Sequence, residues 1–379
     1  KYKIKIMSTP ILAMIPSGRK ATKLYSVLPT DGTGDFTVAR AGLRNEINSD
    51  LNLELIAANV PAFNHDTVGG CPVLNTEPQA TNLITYPISF GNSYWTKSGA
   101  TIEGDASTAG VELVTNGDFA SDTWWTKEGS TTIADGVAHL NGTTEYILSS
   151  PTAITIGNYY KVEFEITSST SGSISCASIG TPYVGAVGTY TYYGYSTKNN
   201  IRFYCSGATV LDLDNVSVKE VQGYSSPSVD FPTSAFKLVE DSSSGTHWFR
   251  RSTTVANGKI TFSIFAKKGE RDYVLLRENT RGGYYFNLNT GTIGSVYSIA
   301  PDSYEIKEFS AGWYKCSITV TTSNATGDFL VYTANANNSN NYQGNGTSGV
   351  YLFMAQLETG STATSPTFTD ITLAAEGST

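Results

Sequence analysis

Apolar positions along this chain recur mostly at every second residue. In "YYKVEFEIT" (159–167), Tyr160, Val162, Phe164 and Ile166 share one face. In "KITFSIFAKKG" (259–269), Ile260, Phe262, Ile264 and Ala266 alternate with Lys, Thr, Ser and Phe. "RDYVLLREN", "GYYFNLNTGTIGSV", "WYKCSITVTT" and "GDFLVYTAN" continue the pattern. A period of two puts apolar side chains on one side of a strand. Asn257-Gly258 and Asn289-Thr290-Gly291 predict hairpin turns. Capped helical periodicity is missing over any long window, and a helix is expected only around Leu43–Leu55. Tyr2, Ile4 and Ile6 alternate with lysines and predict a short strand. A secretory signal is the weaker reading, because Ser8-Thr9-Pro10 and Pro16 interrupt the apolar run. Many short strands with Gly-rich turns predict an all-β fold of sandwiches.

One phrase occurs twice. "NLITYPISFGNSYWTKSGATIEGD" (82–105) parallels "ELVTNGDFASDTWWTKEGSTTIADG" (112–136). Each reads as the opening strand of a sandwich followed by a turn and a Trp. "VLDLDNVSVKEV" (210–221) reads as a closing strand, and so does "GVYLFMAQLETGS" (349–361). Two openings followed by two distant closings predict nesting: an outer sandwich of 82–109 plus 223–366, interrupted by an inner one at 110–222. A smaller N-terminal region (1–81) precedes them and a tail (367–379) follows. Insertion at a surface loop costs little when the guest's ends lie together.

Composition narrows the function. Of 379 residues only 15% are charged, against about 25% in an average globular protein, while Gly (36) and Tyr (23) are abundant. The formal charge of −8 excludes a protein that works by neutralising nucleic-acid phosphates. No apolar run reaches the roughly 20 residues of a membrane helix, so membrane insertion is not expected. Cys71, Cys176, Cys205 and Cys316 form no CxxC pair. Cys176 and Cys205 fall in one sandwich and can pair, though free buried thiols are the preferred reading. His65, His139 and His247 sit in no recognisable triad or zinc motif, and the acids are scattered through turns; no enzyme is expected.

Several phrases in combination resemble a family of bacteriophage tail-fibre and virion-surface proteins with jelly-roll or concanavalin-like domains. They are "IPSGRKATKLYSVLPTDGTGDFTVARAG", "GCPVLNTEPQATNLIT", "NSYWTKSGATI" and "AQLETGSTATSPT". The inner "LVTNGDFASDTWWTKEG…LDNVSVKE" resembles jelly-roll carbohydrate-binding modules. The resemblance departs at Ser365, where a Tyr precedes the proline in the family. It implies a virion-surface protein (tail fibre, spike or head fibre) assembled in the host cytoplasm, with other virion proteins as partners. It further implies homo-oligomers, expected as trimers, and non-enzymatic recognition of a host-surface glycan. The alternatives are a structural capsid or tail decoration or adaptor protein and, further off, a polysaccharide depolymerase. The resemblance to jelly-roll modules also implies a structural Ca2+, for which Asn116, Asp118 and Asp214 stand at matching positions; calcium needs several oxygen ligands.

Glycan sites combine aromatic faces with polar side chains. Trp95 and Trp125 recur in both phrases and read better as core plugs than as ligand platforms. Trp124 points the other way in an extended segment and is the better exposed candidate. In 182–200, Tyr183, Tyr190, Tyr192, Tyr193 and Tyr195 form either a glycan platform or a subunit contact. Alternation puts Tyr190 and Tyr192 on one face, Tyr193 and Tyr195 on the other. The loop 333–349 offers Asn338, Asn340, Asn341, Tyr342 and Gln343 as glycan ligands or as a solvated loop. "SSSGTHWFRRS" (242–252) offers His247, Trp248 and a pair, Arg250-Arg251, that can hold an anionic sugar or line a salt-bridged edge.

Overall fold

The computed structural model describes residues 18–20, 22–25, 36–40, 42–77, 80–105, 107, 109–143, 148–323, 326–366 and 377–378. The strand expected at Tyr2–Ile6 lies outside them, as does nearly all of the 367–379 tail. The described residues are all-β, with one 3-10 turn at Ser310–Gly312 and no α-helix.

Two six-stranded antiparallel sheets enclose the largest core. The first runs, in spatial order, Ser303–Glu308, Trp313–Thr322, Gly258–Lys268, Gly349–Thr359, Phe236–Glu240 and Ala100–Glu103. The second runs Thr292–Tyr297, Gly282–Asn287, Tyr273–Glu278, Thr326–Ala334, Trp248–Thr254 and Thr96–Ser98. Ile260, Phe262 and Ile264 of the first meet Val274, Leu276, Phe329 and Val331 of the second. The alternation in the sequence is this inward face. The opening segment gives an edge strand to each sheet and crosses between them at Gly99. There φ is +62°, and a Cβ would lie 2.5 Å from the Thr246 carbonyl, so glycine is required.

After Glu103 the chain leaves this sandwich, and it rejoins at Phe236. Between them, eight strands form another antiparallel network around a separate core. Its two long strands, Tyr159–Cys176 and Asn200–Val221, pair over most of their length. Register shifts between Glu163 and Ser173 mark bulges, which bend a strand pair. Tyr160 and Phe164 near one end and Ile174 and Cys176 at the other thereby line one core. Ala109 pairs with Val221, so this unit begins and ends at one place. Tyr195 projects from it onto the core of the six-stranded pair, over the backbone of Gly91. A Cβ on Gly91 would fall 2.0 Å from the Tyr195 ring. Gly91→Ala is therefore expected to cost about 1–3 kcal/mol in urea denaturation; an unchanged midpoint would show that the ring moves aside freely.

Two local expectations are corrected. Leu43–Leu55 is a hairpin, with Arg44–Ile47 paired to Leu53–Ile56. Leucine and isoleucine at 43, 47, 51 and 55 imitate a helical stripe. The turn wins because the Asn48 amide oxygen accepts the Asp50 and Asn52 N–H groups, both at 3.0 Å. Leu51 adopts φ +61°, and Ile47, Leu51 and Leu53 bury against Phe265, Trp313 and Phe353. Asn257-Gly258 makes no hairpin. It links Trp248–Thr254 of one sheet to Gly258–Lys268 of the other, because Val255 turns into the core between them. Asn289-Thr290-Gly291 does close a hairpin: Asn287 pairs with Thr292, and the Gly291 N–H reaches the Asn287 carbonyl at 2.9 Å. Cys176 and Cys205 are free, buried thiols, and burial pushes the Cys176 thiol up to about 12.

Candidate functional site

The repeated phrase builds one device twice. The Trp95 indole N–H donates to the Tyr86 carbonyl at 3.1 Å, and that of Trp125 to the Asn116 carbonyl at 2.9 Å. Each carbonyl lies nine residues upstream. Trp95 is 2% exposed and Trp125 6%; both are core. Trp124 is 52% exposed, and its φ of +71° turns it away from its neighbour. Asn116 shapes the loop that carries it. Its amide nitrogen donates to the Ser121 and Thr123 carbonyls at 2.8 and 3.0 Å, and its oxygen accepts the Ser121 N–H at 3.2 Å. That oxygen is thus engaged within the loop. Asp118 accepts the Ala120 N–H at 3.4 Å and Asp214 the Asn215 N–H at 2.7 Å. No group of three or more His, Cys, Asp or Glu able to hold a metal occurs among the described residues.

The tyrosines of 182–200 are not one platform. Tyr190 and Tyr192 lie on the inner side of their sheet, stacked on each other with ring centroids 6.3 Å apart and packed on Phe164. Tyr193 faces outward beside Tyr159 and opposite Lys161. Tyr195 is committed to the junction with Gly91, and burial pushes its hydroxyl well up. Tyr183 stands exposed on a separate loop. In the Asn-rich loop Tyr342 is buried: its hydroxyl donates to the Glu240 carboxylate at 2.7 Å and lies 2.7 Å from the Thr333 hydroxyl. Gln343 donates to the Ser242 carbonyl, and the Asn340 amide oxygen accepts the Tyr285 hydroxyl at 2.8 Å. Asn338 and Asn341 remain exposed.

What the fold does assemble is the outer face of the second six-stranded sheet. Residues that alternate with the core positions meet there across the strands. One transverse row reads Thr96, Arg250, Leu330, Arg277, Gly283, Tyr297; the next reads Ser98, Trp248, Tyr332, Leu275, Tyr285. Leu275, Tyr285, Leu330 and Tyr332 form a buried strip, with Trp248, Tyr273 and Tyr297 half-buried around it. The Arg250 guanidinium lies 5.5 Å from the Trp248 ring centroid. That of Arg277 lies 4.7 Å from Tyr297 and 5.8 Å from Tyr332. Gly283 makes the Arg277–Tyr297 contact possible, because a Cβ there would sit 2.6 Å from that of Arg277. The Asn-rich loop borders the strip through Asn340 on Tyr285 and Asn337 on Ser295. Burial, helped by Tyr297 and Tyr332, pushes the Tyr285 hydroxyl up to about 12, and burial likewise raises Tyr332. Both phenols stay neutral: that of Tyr285 donates to Asn340, and that of Tyr332 accepts from Arg277 Nη1 at 3.3 Å.

Aromatic rings beside guanidinium and amide groups suit a ligand with apolar C–H faces and hydroxyl rims. Trp248 and Arg250 are visible in the sequence as candidates. Tyr273, Arg277, Tyr297 and Tyr332 are not, and their only signal is the outward parity of strands whose inward parity is the core.

No protein-family model matches the chain, and no curated protein matches it by sequence. Among solved structures, the N-terminal CBM22-1–CBM22-2 tandem domain of Xyn10C from Paenibacillus barcinonensis aligns with 10% identity over 75% of this chain and 99% of that one, with a TM-score of 0.21.

Proposed function

We propose that the chain is a non-catalytic glycan-binding protein of a bacteriophage surface, and that the Trp248–Tyr332–Arg277–Tyr297 face is its binding surface. The observation that carries the glycan reading is the set of half-buried rings, Trp248, Tyr273 and Tyr297, with guanidinium groups beside them, around a buried strip on the non-core side of a sheet. The virion location rests on the phrases quoted from the sequence. In this reading residues 1–81 attach the chain to the particle, and the sandwich of 82–109 with 223–366 presents the ligand face. The 110–222 unit is a second module, and homo-oligomers multiply weak single contacts through effective concentration.

The test is a glycan array probed with the full chain and with Trp248→Ala. A large ring at the centre of a contact carries a disproportionate share of affinity. Loss of Trp248 is expected to weaken the best binder by about tenfold or more, equivalent to about 1.4 kcal/mol. Binding unchanged by the substitution would move the site elsewhere. Silence of the wild type across the array, with Trp248 and Tyr297 buried between subunits of the assembled particle, would leave the decoration reading standing instead.

A further inference from the structure

We propose that the glycan taken by this face is acidic, a sugar bearing a carboxylate, and that Arg277 is the residue that reads the charge, with Arg250 as a second cation. This rests on the glycan reading above and adds the ligand's chemical class.

The argument starts from how the two arginines are partnered. Arg277 is half-buried, and its hydrogen-bond partners are all neutral. Nη2 donates to the Asn279 backbone and side-chain oxygens at 2.9 Å each. Nη1 makes only long contacts, 3.4 Å to the Tyr297 hydroxyl and 3.3 Å to that of Tyr332. Nε is buried without a hydrogen-bond partner. A cation held in a partly desolvated place by neutral groups alone is electrostatically unsatisfied. Arg250 is only loosely compensated, with the Asp328 carboxylate 3.5 Å from Nη1 and its own Nε unpartnered.

The register places both arginines usefully. Arg250 and Arg277 face Leu330 from its two sides. With strands spaced about 4.8 Å apart, their Cα atoms stand about 10 Å from each other. Both side chains stand on the outer face of one row, so a carboxylate bound over that row meets Arg277 with Arg250 as its next cation, while the sugar ring reaches Trp248 on one side or Tyr297 on the other. Its oxygens offer Nη1 charge-assisted bonds of about 2.7–2.9 Å in place of the long phenol contacts. The chain as a whole carries −8, so an acidic polymer is repelled by most of its surface. The repulsion makes a local cationic row selective, and binding there should weaken with added salt.

The probes are an oligogalacturonate, the same oligomer with its carboxyl groups reduced to hydroxymethyl, and a sulfated oligosaccharide of equal length. Each is titrated calorimetrically into the full chain. The expected result is tightest binding of the uronate, a drop of about tenfold or more on carboxyl reduction, and loss of that difference in Arg277→Ala. Arg277→Lys keeps the charge but not the fork and should retain part of the preference, which separates charge reading from misfolding. Equal binding of the uronate and its reduced form, still sensitive to Trp248→Ala, would overturn the acidic ligand and leave the glycan reading intact. Equal binding of sulfated and uronate oligomers would overturn the carboxylate assignment. Failure of all three probes alongside a neutral glycan that binds on the array would overturn the proposal alone; a wholly silent array would remove both readings.

Discussion

Trp95→Ala is expected to cost the chain about 3–5 kcal/mol of stability. Trp124→Ala, in the second copy of the same phrase, should stay within about 0.5 kcal/mol. Trp95 immediately precedes the edge strand Thr96–Ser98 and lies in the core between the two six-stranded sheets. Its ring lies 5.6 Å from Phe90, 5.4 Å from Tyr94 and 5.0 Å from Phe249. Truncation leaves a cavity that three aromatic neighbours cannot close without leaving their own contacts. It also removes the indole donor to the Tyr86 carbonyl, but Tyr86 is itself exposed, so the cavity is the larger loss. Trp125→Ala should act by the same two terms on Phe119 and the Asn116 carbonyl. The measurement is urea denaturation followed by far-UV dichroism. If the two β units melt as separate transitions, Trp95→Ala should lower one midpoint and Trp125→Ala the other. A loss below about 1 kcal/mol for Trp95→Ala would mean the ring is not the plug its contacts describe.

These Trp residues mark how far the sequence alone is legible. Strict alternation in 159–167 and 259–269 specifies strands because a one-residue slip would expose every apolar side chain. The doubled phrase pointed to core because the same ring recurs at the same step of two openings. Leu43–Leu55 reads as a helix because its apolar spacing of four is compatible with one, and only the Asn48 side-chain turn decides against it. Asn257-Gly258 reads as a hairpin because turn residues give a change of direction without saying which strand lies alongside. The surface face was half legible. Trp248 and Arg250 are close in sequence, whereas Arg277, Tyr297 and Tyr332 reach them from three other strands. Tyr342 sits among asparagines and glycines that suggest solvent, yet its partner Glu240 lies 102 residues away in sequence. No local pattern encodes a pairing of that range.

That partner is the site of the second large effect. Glu240→Ala is expected to cost about 3–5 kcal/mol, the usual penalty for removing one member of a buried ion pair. The Glu240 side chain is wholly buried. It accepts from Arg271 Nε at 2.8 Å and from Nη2, from the Tyr342 hydroxyl at 2.7 Å and from the Asn345 N–H at 3.0 Å. One carboxylate thus ties the strand Phe236–Glu240 to Arg271 and to the segment around Tyr342. Burial alone would raise its pKa. The Arg271 fork, the Tyr342 hydroxyl and the Asn345 amide outweigh burial and hold the carboxyl below its ordinary value of 4.5. A carboxyl depressed on folding binds fewer protons in the native state than in the unfolded one. Its contribution is therefore complete above the unfolded value and is lost as pH falls through the folded one. Wild type should lose stability on acidification below about pH 4.5 more steeply than Glu240→Gln, which keeps the shape without the titrating group. Urea midpoints taken from pH 7 down to about pH 3 read both effects. Parallel curves for wild type and Glu240→Gln would show that the carboxylate's charge contributes nothing and that its packing alone holds the strand, the loop and Arg271 together.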